Sequence, residues 1–339
     1  MFEDAQDTGR QAEVPLVHEH RATLQKVAVC FEREIKCGVE ERVPGTDERR
    51  ERLAREREVA SSRLQSLQLE LDMLSMGDAE LAGDARGDGL IVGRTFLVTG
   101  VSRGIGRAIA IRMAEHGAKV VVSSRKLAAC EEVVKTIQDK YGKDSAIAIA
   151  ANISSKDDLA NLVAETERHW GKVDVLVCNA ASNPYYGPQA GIADEQFRKI
   201  LDNNIVANHW LINLCAPQMI QRKAGSIIIV SSIGGLRGSP VIGAYCISKA
   251  ADMQLARNLA VEYGPHNVRV NCIAPGLIKT DFARALWEDE AMLKERMVTT
   301  PLRRIGDPDE IAGAAVFLAS QAGSYVTGQS LVVDGGVTI

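Results

Sequence analysis

From Thr95 onward, short runs of branched aliphatic residues alternate with longer segments whose apolar positions recur every three to four residues. Residues 95–99, 119–123, 146–150, 173–178 and 225–231 are mostly apolar, the pattern of strands buried on both faces. Residues 107–116 and 157–169 have the helical period, as does the stretch carrying Ala250, Ala251, Met253, Leu255, Ala256, Leu259 and Ala260. Strand–helix alternation of this kind implies right-handed crossovers and an α/β fold built on a parallel, doubly wound sheet. Ligands of such sheets bind beyond the carboxyl ends of the strands.

The first ninety residues read differently. Residues 47–76 are rich in Arg, Glu and Leu, and Leu53, Ala60, Leu67 and Leu74 recur every seven residues, with Leu64 and Leu71 between them. This is a short seam of coiled-coil type, interrupted at Arg57, with Thr46 as a cap and Gly77 as a stop. Gly83, Gly87 and Gly89 then form a polar linker. The chain divides into an N-terminal extension, 1–90, and an α/β domain, 91–339. The extension is either a dimerisation or docking helix, or an accessory amphipathic helix without a role of its own.

Composition narrows the function. A 339-residue chain with 46% hydrophobic and 25% charged residues is ordinary for a globular protein. A net charge of −4 argues against nucleic-acid binding by phosphate neutralisation. No apolar run reaches the roughly 20 residues of a membrane helix, and the acidic amino terminus lacks the basic and apolar regions of a leader. The seven cysteines are odd in number and several lie in apolar segments, as expected of free thiols in a reducing compartment, here the cytoplasm. His18, His20, Cys30 and Cys37 match no zinc spacing, so no metal is expected.

Two stretches carry chemistry. The strand at 95–99 runs into Gly100-Val-Ser102-Arg103-Gly104-Ile105-Gly106, and a helix follows. Glycines there let the backbone approach a pyrophosphate and aim a helix N-terminus at it. At the tip of the second strand, a carboxylate would bind the ribose diol of NAD, but Ser124 stands there, followed by Arg125. Two guanidiniums, Arg103 and Arg125, without a carboxylate favour a 2′-phosphate, so the expected cofactor is NADP(H). Asn152 and Ile153 follow the third strand; Asn179 and Ala180 follow the fourth, where Asn179 is positioned to hold the turn and line the adenosine side of the groove. The second stretch is Ser232, Tyr245 and Lys249. Four residues apart on a helix, Tyr245 and Lys249 share a face. A cation within about 4–6 Å favours the phenolate by roughly one to three units, which suits Tyr245 to general acid/base work. Alone, such a pair is a common helix-surface coincidence.

Together these residues resemble the short-chain dehydrogenase/reductase family from about Gly93 to Ile339. Thr99-Gly-Val-Ser-Arg-Gly-Ile-Gly106 fits its glycine-rich turn, Asn179-Ala-Ala resembles its Asn-Ala-Gly motif, and Ser232, Tyr245 and Lys249 have its catalytic spacing. Asn204 matches the asparagine that completes the family's tetrad, and Pro275, Gly276, Ile278 and Thr280 lie in a segment similar to the loop that covers the nicotinamide. Within the family the residues most resemble NADPH-dependent carbonyl reductases of the DHRS4 type and their bacterial relatives. Asn152 replaces the usual aspartate and Ala181 a glycine. The resemblance implies a Rossmann domain of about seven strands, and a homotetramer or homodimer built on helices near 196–220 and 250–263. It also implies hydride transfer between nicotinamide and a small carbonyl or alcohol substrate, with Tyr245 donating the proton. A 3-oxoacyl-[acyl-carrier-protein] reductase, or an NAD-dependent alcohol, steroid or sugar dehydrogenase, is the alternative. Asn183, Tyr185, Tyr186, Ile233 and Leu236 are candidates for the substrate wall, with Val241 and Ile242; Phe282, Leu286 and Trp287 would belong to a lid at 282–297.

Overall fold

The computed structural model describes residues 91–339. The seam expected at 47–76, the linker after it and the candidate ligands near residue 30 lie outside the described residues. Seven strands form one parallel sheet: β1 (Thr95–Thr99), β2 (Lys119–Ser124), β3 (Ala146–Ala150), β4 (Val175–Cys178), β5 (Gly225–Val230), β6 (Val268–Pro275) and β7 (Ser330–Val333). Their order is β3-β2-β1-β4-β5-β6-β7, so the direction of winding reverses between β1 and β4. That reversal opens the ligand crevice of a doubly wound, Rossmann-like sheet.

Helices cover both faces. Phe96 and Val98 of β1 pack into one core with Ile109 and Met113 of α1 (Gly104–Glu115), Val133 and Ile137 of α2 (Leu127–Tyr141), and Ile311 and Ala315 of another helix, Pro308–Ala319. Leu97, between them in β1, joins the opposite core with Leu159 of α3 (Lys156–Trp170), Leu211 of a helix at Ala207–Gln221 and Met253 of one at Gly243–Tyr263. Alternation along a strand buried on both sides explains why β1 shows no polar residue between Thr95 and Thr99.

In chain order the remaining helices are α4 (Asp194–Leu201), α5 (Ala207–Gln221), α6 (Gly243–Tyr263), α7 (Glu290–Thr299) and α8 (Pro308–Ala319). The single helix expected near 196–220 is α4 and α5 joined by one π-helical turn, Asp202–Val206. β6 and β7 had no strand reading of their own from the pattern. Arg269 and Asn271 interrupt β6, and both turn their side chains to carbonyls of the chain at 323–326. Among the described residues no helix is long and apolar enough to cross a membrane.

Candidate active site

α6 starts at Gly243, which sets Tyr245 and Lys249 in its first two turns, above the end of β5. Lys249 Nζ lies 5.7 Å from the centroid of the Tyr245 ring. The Ser231 hydroxyl donates to the Lys249 carbonyl (2.7 Å), tying α6 to the strand that delivers Ser232. Ser232 Oγ accepts from the Gly234 amide (3.0 Å). The three residues expected to act together are therefore gathered at one end of the sheet.

Lys249 is buried with only 2% of its surface exposed, and its ammonium is held from two sides. It donates to the Val230 carbonyl (2.9 Å) and pairs with Asp252 Oδ2 (2.9 Å). Burial alone favours the neutral amine, but Asp252 and Tyr245 outweigh it and hold the lysine above its ordinary value. Lys249 is thus a cation at neutral pH. For Tyr245 the outcome reverses the expectation from spacing. Desolvation pushes the phenol above its ordinary value; the Lys249 cation and the Ser232 hydroxyl pull it down, but by less, and Asp252 opposes them. The lysine is where it was expected, yet burial wins.

Asn204 sits in the π-turn, fully buried. Its side chain accepts from the Ser182 amide (2.8 Å) and donates to the Ser182 carbonyl and to Ser248 Oγ (3.1 and 3.0 Å). Ser248 in turn donates to the Tyr245 carbonyl (2.7 Å). One extra residue in a helical turn re-aims side chains, and such turns recur at functional sites.

The glycine-rich turn precedes α1. Gly100 and Gly104 have φ of 70° and 60°, the left-handed region open to glycine. Asn179 secures the turn as expected, its amide group donating to the carbonyls of Thr99 (2.9 Å) and Gly100 (3.2 Å). α1 begins with no side-chain cap and no acidic residue in its first turn. Beside it a cleft of about 320 Å³ is lined by Ser102, Arg103, Ser124, Arg125, Lys126 and Ala129. Arg103 also pairs with Asp281 at 3.4 Å, in the segment after β6. Asn152 is occupied locally, its side-chain oxygen accepting from the Ser154 amide (3.2 Å).

The segment after β6 closes the far side. Ile278 is buried and bridges Gly306, while a β-carbon at Gly104 would lie 3.2 Å from Thr280 Cγ2. Thr280 therefore touches the glycine turn. Phe282 stands near Tyr245, ring centroids 6.0 Å apart, with 56% of its surface exposed. Trp287 Nε1 donates to the Thr280 carbonyl (2.9 Å), tying the segment expected to form a lid back to the chain just before it. Tyr185 is also committed locally, its hydroxyl donating to the Pro188 carbonyl (2.8 Å).

Comparison with known proteins agrees with this geometry. A family model described as enoyl-(acyl carrier protein) reductase matches residues 100–338. Dehydrogenase/reductase SDR family member 4 of Bos taurus is 43% identical over 243 residues, 72% of this chain and 86% of that protein. The Homo sapiens protein of the same name is 41% identical over 246 residues, 73% and 88% of the two chains. The chain belongs to the short-chain dehydrogenase/reductase family. Two solved members extend the likeness. A 7α-hydroxysteroid dehydrogenase complexed with NADH and 7-oxo glycochenodeoxycholic acid superposes with a TM-score of 0.69 at 36% identity, covering 73% of this chain and 94% of that one. A protein from Beutenbergia cavernae described as an NAD(P)-dependent gluconate 5-dehydrogenase, with NADP bound, superposes with a TM-score of 0.69 at 36% identity, covering 73% and 97%.

For a member of this family, motif reading overlooked the residues that hold the motif in place. Asp252 and Asn208 are both buried, and Asn208 Nδ2 donates to Asp252 Oδ1 (3.1 Å) and to the Asn204 carbonyl (2.7 Å). The available signal was a carboxylate three residues after Lys249, at ion-pair spacing, inside the apolar stripe of α6.

Proposed function

We propose that this chain is an NADP(H)-dependent oxidoreductase interconverting a carbonyl and a secondary alcohol, with Tyr245, Lys249, Ser232 and Asn204 as its working tetrad. The observation that carries the reading is a buried lysine cation set 5.7 Å from the ring of a tyrosine at the sheet's carboxyl edge. A dinucleotide fits the residues present. Glycine at 100, 104 and 106 keeps the turn free of side chains, so its backbone can approach a pyrophosphate; a β-carbon at Gly100 would also fall 2.9 Å from the Ala180 Cα, where the turn packs on the end of β4. The uncapped start of α1 supplies N–H groups for it. Ser102, Gly104, Ile105 and Gly106 would meet the pyrophosphate, Arg103 joins Arg125 as a candidate for the 2′-phosphate once released from Asp281, and Pro275, Gly276, Ile278 and Thr280 would meet the nicotinamide end.

When bound, the dinucleotide supplies or accepts the hydride. The rest falls to side chains. Ser232 and Tyr245 hold the substrate oxygen, and Tyr245, kept protonated at neutral pH by burial, hands it a proton in the reductive direction. Lys249 stays charged and offsets the negative charge that remains on the phenol oxygen. Ser124, Arg125 and Lys126 form a cationic, carboxylate-free rim for a 2′-phosphate. Phe282 beside Tyr245 favours a substrate with an apolar substituent next to its carbonyl. Ile247 and Val261 expose apolar surface on α6, which supports assembly through that helix as a homotetramer or homodimer in the cytoplasm.

The test is a panel of ketones, aldehydes and alcohols assayed on the full chain with NADPH and NADH. Turnover of apolar carbonyls, preferring NADPH and abolished in Tyr245→Phe with cofactor binding intact, is expected. Turnover undiminished in Tyr245→Phe would overturn the assignment. A fatty-acid synthesis role would instead show as a preference for 3-oxoacyl thioesters over simple ketones.

A further inference from the structure

Asp252 is the least expected group in the molecule. It is a carboxylate with no exposed surface, in the middle of a helix, directly under the site. Both oxygens are engaged, one by Lys249 Nζ at 2.9 Å and one by Asn208 Nδ2 at 3.1 Å. Asn208 also donates to the Asn204 carbonyl at 2.7 Å, so a continuous hydrogen-bonded chain runs from Lys249 through Asp252 and Asn208 to the π-turn. The other titratable groups that act on this pair are Tyr245 on α6, Cys178 at the end of β4, and Cys272 on β6. Cys246 and Arg257 of α6 act on Tyr245 and Cys272 respectively. Burial pushes the thiols of Cys178 and Cys272 up, so neither supplies a charge. Among the described residues, Asp252 is thus the buried counter-charge of Lys249.

A lone ammonium at this depth surrenders its proton well below the ordinary lysine range. The cation that the proposed reaction needs would then vanish as the solution approaches alkaline pH. An ammonium also has three N–H donors. Val230 and Asp252 take two and fix its direction, leaving one to face the site.

We propose that Asp252, oriented by Asn208, is a positioning residue that keeps Lys249 charged and fixed in direction for the proposed reductase chemistry. The inference rests on that functional reading for its kinetic consequence but not for its thermodynamic one. Asp252→Asn keeps the shape and removes the charge. Its carbonyl-reductase kcat, normalised to its own maximum, is expected to fall at least tenfold between pH 6 and 9, with the falling limb at least one pH unit below that of the wild type. KM for the carbonyl should stay within about threefold, and Asp252→Glu should move the limb back toward the wild type. Superimposable pH profiles, at whatever absolute rate, would overturn the proposal.

A second measurement needs no turnover. If Asp252 exists to compensate Lys249, removing both charges should be better tolerated than removing either. Melting of the full chain is expected to be higher for Asp252→Leu/Lys249→Met together than for Asp252→Leu or Lys249→Met alone, because a buried pair tolerates joint replacement but not an orphaned partner. A double variant that melts no higher than the worse single variant overturns the proposal, and failure of a single variant to fold while the double folds supports it. Absence of any wild-type turnover would count against the reductase reading and leave the melting cycle to decide Asp252's role.

Discussion

Gly106 is the third residue of α1, and its φ lies outside the left-handed region, so backbone freedom does not explain a glycine there. Helix propensity alone predicts that Gly106→Ala stabilises the protein by about 1 kcal/mol. The surroundings predict the opposite. A β-carbon at Gly106 would lie 2.5 Å from the Gly100 carbonyl oxygen, and closer still to Asn179 Nδ2. Ordinary contact requires about 1 Å more. The obstacle is not a flexible tip: one neighbour is backbone, and the other is the amide that donates to Thr99 and Gly100 at 2.9 and 3.2 Å. Overpacking of this kind costs about 1–3 kcal/mol, and losing one of the Asn179 bonds adds about 1 kcal/mol. Set against the propensity gain, the net loss is about 2 kcal/mol.

Thermal melting of the full chain checks this, with an expected fall of roughly 4–8 °C for a domain of this size. Gly313→Ala is the control. Gly313 lies in α8, exposed, and a β-carbon there would meet nothing within 4 Å, so the same substitution should raise the melting temperature. A Gly106→Ala protein as stable as the wild type would refute the claim that this glycine exists for close approach of helix and strand tip. Its affinity for NADPH should fall as well, because the turn that meets the pyrophosphate is the part displaced.

Arg125→Asp should move cofactor preference toward NADH, since a carboxylate repels a 2′-phosphate and binds a ribose diol; an unchanged ratio of kcat/KM for the two cofactors would discard the assignment of the cationic cleft. Phe282→Ala should raise KM for bulky apolar ketones severalfold and leave small aldehydes nearly unaffected, measured by initial rates across a size series. Glu310 caps α8 through the Asp307 amide (2.8 Å) and pairs with Arg304, which hold its carboxyl down to about 2. A lowered carboxylate stabilises the fold fully above its unfolded value and loses that contribution as pH falls through its folded one. The stability difference between wild type and Glu310→Gln should therefore be constant above pH 4.5 and shrink toward pH 2, as followed by urea denaturation at stepped pH.

What the sequence revealed and what it hid divide along a physical line. Strands buried on both faces advertise themselves, because each position of β1 must be apolar whichever core it enters. The glycine turn and the Tyr245–Lys249 spacing are equally legible, being fixed by local geometry. The π-turn at Asp202–Val206 is not, since helical periodicity continues through it. β6 was obscured because Arg269 and Asn271 spend their polarity on carbonyls that only tertiary folding brings near. Tyr185 is read as a candidate for the substrate wall, but the tie of its hydroxyl to the Pro188 carbonyl could not be read from the sequence. Asp252 stands at ion-pair spacing from Lys249 within the apolar stripe of α6, but motif spacing does not report that both its oxygens are enclosed, and only folding brings Asn208 to them.

The sign of the Tyr245 shift follows from the same distinction and bears on the direction of catalysis. Spacing pairs the phenol with a cation and suggests a phenolate; burial, which spacing does not report, leaves it protonated above its ordinary range. Asp252 cancels part of the attraction from Lys249, which by itself looks counterproductive. Without Asp252, however, the buried amine would lose its proton more readily as pH rises and its attraction with it, so a partly cancelled cation is stronger than the alternative. A protonated phenol is the reagent that carbonyl reduction needs, whereas alcohol oxidation needs the phenolate. The reductive kcat should accordingly be flat from neutral to moderately alkaline pH, while the oxidative kcat rises with pH over the same interval. Both limbs can be read on one substrate pair with saturating cofactor. An oxidative rate already at its plateau at pH 7 would mean that the cation outweighs burial in the working complex, and that the raised phenol of this structure is not the state that turns over.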